Sequence, residues 1–213
     1  MKVDKHSLLL YAVTDRSWLG DNSLAAQVED AIKAGVTFVQ LREKELPYAD
    51  FVAEAKKVKE ITAHYRIPLV INDNIEVAQE IDADGVHVGQ SDLDVSAARA
   101  LLGEDKIIGV SAQTLEEAVW AEKHGADYLG VGTVFPTSTK LDATGVSFAV
   151  LQDICSKVAI PVVAIGGINA ENILGLQGTG IDGVAVVSAI FAQPDISAAA
   201  RKLAALVQKA VKR

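Results

Sequence analysis

Eight short apolar runs, rich in Val and Ile, recur along this chain: LLLYAVT (8–14), FVQLRE (38–43), PLVIND (68–73), GVHVGQ (85–90), KIIGVSA (106–112), YLGVGTV (128–134), PVVAIGG (161–167) and GVAVVSA (183–189). They read as nearly continuous apolar stretches, the pattern of parallel strands covered on both faces. Helical stretches separate them, among them 23–35, 48–65, 114–125 and 195–212. Ser23 and Thr114 stand where N-caps belong, and Gly35 and Gly125 where a helix should stop. A phrase that ends a helix on Gly or Asp-Gly and launches a strand repeats in KAGVTFVQ, IDADGVHVG, KHGADYLGVG and GTGIDGVAVV. Eight strands alternating with helices, at about 25-residue spacing, predict an α/β fold of the (β/α)8 TIM-barrel type. An open doubly wound sheet is the competitor, and it lacks its G-x-G-x-x-G turn after the first strand. No linker or low-complexity run interrupts residues 1–213, so one domain is expected.

Composition narrows the partners. The formal net charge is -8 over 213 residues, which argues against nucleic acid or an anionic membrane as the main partner. A bound anion must then be held by a few local cations or by a metal. The single cysteine, Cys155, excludes an internal disulfide or a Cys-based zinc cluster and fits a reducing, cytoplasmic setting. Leu8 to Val13 is far too short to span a bilayer and reads as a strand.

Active sites of such barrels lie at the carboxyl ends of the strands. Gln40, Arg42, Glu43 and Lys44 end the second run, and Asn72, Asp73 and Asn74 the third. Gln90, Ser91 and Asp92 follow the fourth, Ser111 and Gln113 end the fifth, and FPTSTK follows the sixth. Side chains alternate along a strand, so Phe38, Gln40, Arg42 and Lys44 share one side while Val39 and Leu41 face the other. Two cations pointing into a barrel need a ligand to face them; a surface pair between Arg42 and Glu43 is the alternative. AIGGIN and VVSAI, with Asn169 as a candidate cap, suit a phosphate held by loop amides, against a reading as tight turns only. Asp73 and Asp92, on adjacent loops and facing Arg42 and Lys44, suit a hard cation such as Mg²⁺, although either alone would serve as a turn residue. Metal beside cations implies a diphosphate. The histidines add little: His6 and His64 read as peripheral, His124 as a helix end, and His87 and Cys155 as packed.

QLREK (40–44), IND (71–73), GVHVGQSDL (85–93), GVSAQT (109–114), FPTSTKLDATG (135–145), AIGGI (164–168) and VVSAI (186–190) together resemble, in order, the thiamine phosphate synthase family. The resemblance implies a transferase that joins 4-amino-2-methyl-5-hydroxymethylpyrimidine diphosphate to 4-methyl-5-(2-hydroxyethyl)thiazole phosphate, releasing diphosphate and requiring Mg²⁺. By motif it implies a pyrimidine diphosphate site from Gln40, Leu41, Arg42, Glu43 and Lys44 with Asn72, Ser111 and Lys140. Arg42, Lys44, Ser111 and Lys140 form the implied catalytic set, and Asp73 and Asp92 the Mg²⁺ ligands. Thr137, Ser138 and Thr139, with Gly167, Val187 and Ser188, would take the thiazole phosphate. Gln113 stands where relatives often carry another polar residue, commonly His. A related thiazole tautomerase would want a general acid or base and no metal pair. A non-catalytic phosphometabolite-binding barrel would keep the phosphate loops without Asp73 and Asp92. Self-association is left open.

Overall fold

The computed structural model describes residues 3–89, 95–136 and 145–211. Eight strands run parallel and close into a barrel in chain order, β8 pairing with β1: β1 (Leu10–Val13), β2 (Phe38–Leu41), β3 (Leu69–Asn72), β4 (Gly85–Val88), β5 (Ile107–Ala112), β6 (Tyr128–Val131), β7 (Val162–Ile165) and β8 (Gly183–Val186). Around them lie α1 (Leu24–Lys33), α2 (Tyr48–Tyr65), α3 (Ile75–Glu80), α4 (Val95–Leu102), α5 (Leu115–Lys123), α6 (Phe148–Lys157), α7 (Ser188–Phe191) and α8 (Ile196–Ala210). The expected (β/α)8 barrel is present. None of the described helices is long and apolar enough to cross a membrane.

Local chemistry sets the boundaries. Ser23 accepts from the N–H of Ala26, and Thr114 and Glu117 form a reciprocal capping box. Gly35 and Gly125 follow α1 and α5 with φ of 113° and 101°, a left-handed conformation that carries little steric penalty in glycine.

The alternation of strand and helix breaks in two places. Leu8 and its neighbours form a 3₁₀ turn, Lys5–Leu8, capped by Asp4, and not the first residues of β1. After β7 there is only the 3₁₀ turn Ile173–Leu176, because Gly178 and Gly180 take left-handed φ of 76° and 87° and stop any longer helix. Asn169 does not cap this turn, whose N-cap position is Asn172; its Oδ1 accepts from the amides of Glu171 and Asn172 at 2.8 and 3.3 Å, tightening the residues just before it.

Strand alternation separates two cores. Val39, Leu41, Ile71, Val86 and Leu129 face the helices, while Tyr11, Phe38, Val70, Tyr128 and Val163 fill the barrel. Val3 and Leu8, 2% and 0% exposed, belong to the inner cluster and close the amino-terminal end.

The repeated phrase before the strands has a common job. Thr37, Asp84, Asp127 and Asp182 immediately precede β2, β4, β6 and β8. Their side chains accept from the backbone N–H of Leu10, Leu69, Ile108 and Val162 at 2.9, 2.8, 2.8 and 3.0 Å. Each donates its own N–H to the carbonyl of that same residue, at 2.7 to 2.9 Å. Each even strand is thereby stapled to the odd strand before it, and three of the staples carry a cation: Lys59 on Asp84, Arg99 on Asp127 and Lys5 on Asp182.

Candidate active site

A cavity of about 360 Å³ opens at the carboxyl ends of the strands. Its wall brings together Gln40, Arg42 and Lys44 from β2 and its loop, Asn72 and Asp73 from β3, Ser111 from β5, Gly167 after β7, and Val187 and Ser188 after β8. Gln113 lines it as well. Leu41 does not: the alternation of β2 turns its side chain into the helix-facing core, 0% exposed. Glu43 does not either, because the Arg16 guanidinium holds it through two N–H donors at 3.0 and 3.1 Å. Asp92, Thr137, Ser138, Thr139 and Lys140 lie outside the described residues.

Arg42 is held from the first strand's loop. Thr14, fully buried, donates its N–H to the carbonyl of Gln40 and accepts the amide of Arg42 on its hydroxyl, both at 3.0 Å. That pins the backbone where β2 leaves the barrel. The Arg42 guanidinium then reaches Asp15 at 3.4 Å, and no Arg42–Glu43 pair forms. Asp73 sits in a left-handed conformation with φ of 59°, accepts the Asn72 side-chain amide, and donates its backbone N–H to the carbonyl of His87 at 2.9 Å. Among the described residues no group of three or more His, Cys, Asp or Glu side chains gathers. A carboxylate beside an amide on the wall is oxygen-donor chemistry, which fits a hard cation and not a soft one.

The glycines expected to shape the phosphate loop also bring two loops together. Gly166 and Gly167 have φ of 97° and 66°, and a Cβ on them would lie 2.6 Å from Thr133 and 2.4 Å from the carbonyl oxygen of Pro136. The loop after β7 therefore packs flush on the start of the loop after β6.

A hydrogen-bonded chain crosses the cavity floor. Gln40 Nε2 donates to the Tyr11 hydroxyl at 2.5 Å, and the Tyr11 and Tyr128 hydroxyls lie 2.8 Å apart. The Tyr128 hydroxyl is 2.9 Å from His87 Nδ1, and His87 Nε2 is 3.0 Å from Ser111 Oγ. Burial is the main reason both phenols ionise well above the usual tyrosine range.

Sequence reasoning passed over several of these groups. Tyr11 was hidden in an apolar run, and His87 is packed as expected yet reaches the cavity wall. Glu117 lines the wall too, accepting the amide of Gln113 at 2.7 Å, and its capping role was the one available signal. Asp15 and Thr133 depend on loop geometry that no local pattern announces.

Known proteins resemble this chain along most of its length. The family model described as thiamine monophosphate synthase matches residues 10–190. The thiamine-phosphate synthases of Clostridium novyi and Clostridium acetobutylicum are 53% and 54% identical to this chain, covering 92% and 94% of it and 96% and 95% of their own lengths. The solved structure of thiamine phosphate pyrophosphorylase from Pyrococcus furiosus superposes with a TM-score of 0.90 at 38% identity, covering 98% of this chain and 99% of that one. A 3-hexulose-6-phosphate synthase structure, at 19% identity and a TM-score of 0.71 over 93% of this chain and 99% of its own, shares the fold alone. On its motifs, its cavity and this similarity along most of its length, the chain belongs to the thiamine monophosphate synthase family.

Proposed function

We propose that this transferase joins 4-amino-2-methyl-5-hydroxymethylpyrimidine diphosphate to 4-methyl-5-(2-hydroxyethyl)thiazole phosphate, giving thiamine phosphate and diphosphate. The observation that carries the reading is the convergence of Gln40, Arg42, Lys44, Asn72, Asp73 and Ser111 with Gly167, Val187 and Ser188 on one cavity. The barrel brings five strand ends to one rim, but packing alone does not require that they carry two cations, a carboxylate, amides and a hydroxyl there. The synthase names of the relatives favour this reading over an isomerase or a binding module.

The amino-pyrimidine ring can spread positive charge, so the bond from its methylene carbon to the diphosphate oxygen breaks with the electron pair leaving on the diphosphate. Arg42 and Lys44, with Lys140 by motif, stabilise that departing charge electrostatically. Gln40, Asn72 and Ser111 hold the ring. The thiazole nitrogen then supplies its lone pair to the freed carbon. It carries no proton, so no general base is required, and no Ser-His-Asp set is needed. Asp73, with Asp92 by motif, would hold Mg²⁺; when bound, the ion neutralises phosphate charge. The main-chain groups of Gly167, Val187 and Ser188, with Thr137, Ser138 and Thr139 by motif, take the thiazole phosphate. The enzyme's setting is proposed to be the cytoplasm, as a single catalytic barrel.

The test is direct. Incubation with both substrates and Mg²⁺ should yield thiamine phosphate and diphosphate in equal amounts, and Lys140→Ala should lower kcat. A Lys140→Ala effect confined to the KM of the thiazole phosphate would reassign that residue, and no product from wild-type enzyme with Mg²⁺ would overturn the reading.

A further inference from the structure

The loops after β1 and β2 exchange two ion pairs in register. A consecutive acid and base, Asp15 and Arg16, meet a consecutive base and acid, Arg42 and Glu43. Asp15 Oδ1 accepts the amide of Ser17 and so opens the 3₁₀ turn Arg16–Trp18, which aims the Arg16 side chain. Arg16 Nε and Nη2 then donate to the two carboxylate oxygens of Glu43, at 3.0 and 3.1 Å. A planar two-point bond of this kind fixes orientation as well as distance.

Glu43 is the unusual member of the four. Its side chain is 3% exposed, against 42% for Arg16. Among the described residues, Arg16 supplies the hydrogen bonds to this carboxylate. A buried carboxylate stripped of its cation does not stay in place; it turns to water or to the next cation within reach. Along the chain those cations are Arg42 and Lys44, one on either side, and both line the cavity. Glu54 on α2 is also drawn to Arg16, so loss of the guanidinium leaves two like charges in one neighbourhood. A carboxylate between two cations that hold a diphosphate offers them the same kind of oxygen acceptor as the phosphate does.

We infer that Arg16 is a positioning residue that sequesters the Glu43 carboxylate away from the cavity, so that it does not compete with the diphosphate for Arg42 and Lys44. This rests on the reading that those two cations hold the diphosphate. A pair that only braced the loop would behave differently: once Arg16 was lost, neutralising Glu43 would bring nothing back.

The probe is inorganic pyrophosphate with Mg²⁺, its binding measured by calorimetry on wild type, Arg16→Ala, Glu43→Gln and the double variant as a thermodynamic cycle. Arg16→Ala should weaken binding about tenfold, and Glu43→Gln added to it should restore most of that loss. The gain from Glu43→Gln should be at least about fivefold larger in the Arg16→Ala background than in the wild type. Charges acting only through solvent would give the same gain in both backgrounds, and equal gains overturn the inference. Undiminished binding by Arg16→Ala overturns it as well. Thermal unfolding reports whether each variant is folded. Should Arg16→Ala be unfolded, Arg16→Lys, which keeps a charge without the two-point hold, carries the same cycle, and equal gains again overturn the inference. An Arg42→Ala, Lys44→Ala double variant separates the two levels. If it binds pyrophosphate as well as wild type does, the diphosphate assignment itself fails. If it binds weakly while the gains from Glu43→Gln are equal, only the role given to Arg16 fails.

Discussion

Arg42 Nη1 stands 3.4 Å from Asp15 Oδ2 at the cavity wall, with the two side chains only 19% and 16% exposed. The other carboxylate oxygen of Asp15 accepts the amide of Ser17 at 2.9 Å, so the loop after β1 fixes the group that aims the guanidinium.

Asp15→Asn should therefore weaken inorganic pyrophosphate binding by about three- to tenfold, measured by calorimetry, through loss of an aimed cation. The cost in stability should stay within about 1 kcal/mol, as for pairs near a surface. Tighter pyrophosphate binding would mean instead that Asp15 competes with the ligand for Arg42.

Asp73→Asn removes a charge while keeping a residue type that tolerates a φ of 59°. The Mg²⁺ concentration giving half-maximal activity should rise by at least about tenfold, with the melting temperature nearly unchanged. Asp73→Ala should lose the same function and in addition about 1 kcal/mol from the left-handed backbone. An unaltered Mg²⁺ dependence in both variants removes the metal assignment.

Asp127 Oδ2 accepts the backbone N–H of Ile108 and a guanidinium N–H of Arg99, at 2.8 and 2.6 Å, with both side chains of the pair 12% exposed. Asp127→Ala leaves a mostly buried guanidinium without its counterion and a strand amide without its acceptor. Urea unfolding should show a loss of about 2–4 kcal/mol, while kcat of the folded fraction stays near wild type. A loss below about 1 kcal/mol would make the staple dispensable.

Alkaline pH should unfold the protein through its barrel phenols. Tyr11 and Tyr128 both ionise higher in the fold than the tyrosine value of about 10 in the unfolded chain. Their contribution is full below about pH 10 and is lost above it, as the unfolded chain releases protons that the fold retains, by about 1.4 kcal/mol per pH unit for each phenol. The unfolding free energy of a Tyr11→Phe, Tyr128→Phe double variant should fall less steeply above pH 10. Identical slopes would show that other groups govern alkaline unfolding.

How much of this was legible in the sequence depends on the range of the interaction. Strand runs such as PLVIND and PVVAIGG were readable because a parallel strand covered on both faces needs little beyond apolar residues. Ser23 and Thr114 were readable because capping is settled within one turn. Asp84, Asp127 and Asp182 were visible as a repeat, but their acceptor role was not, since each closes on a strand 15 to 20 residues away. In the site, alternation along β2 placed Gln40 and Arg42 correctly and also foretold that Leu41 faces away. Glu43 was misleading for a longer-range reason: its partner, Arg16, comes from a loop 27 residues earlier. Tyr11 and His87 were the hardest to read, because a polar tip on a barrel-filling ring looks like core until its neighbours are known.

Val3 and Leu8 add a seal beneath a barrel that its own side chains already fill, so the cavity has its mouth at the carboxyl ends of the strands. A molecule resting on Tyr11 at the bottom can come and go only past whatever lies above it. For the reaction proposed above, both reactants and the fused product therefore share one mouth.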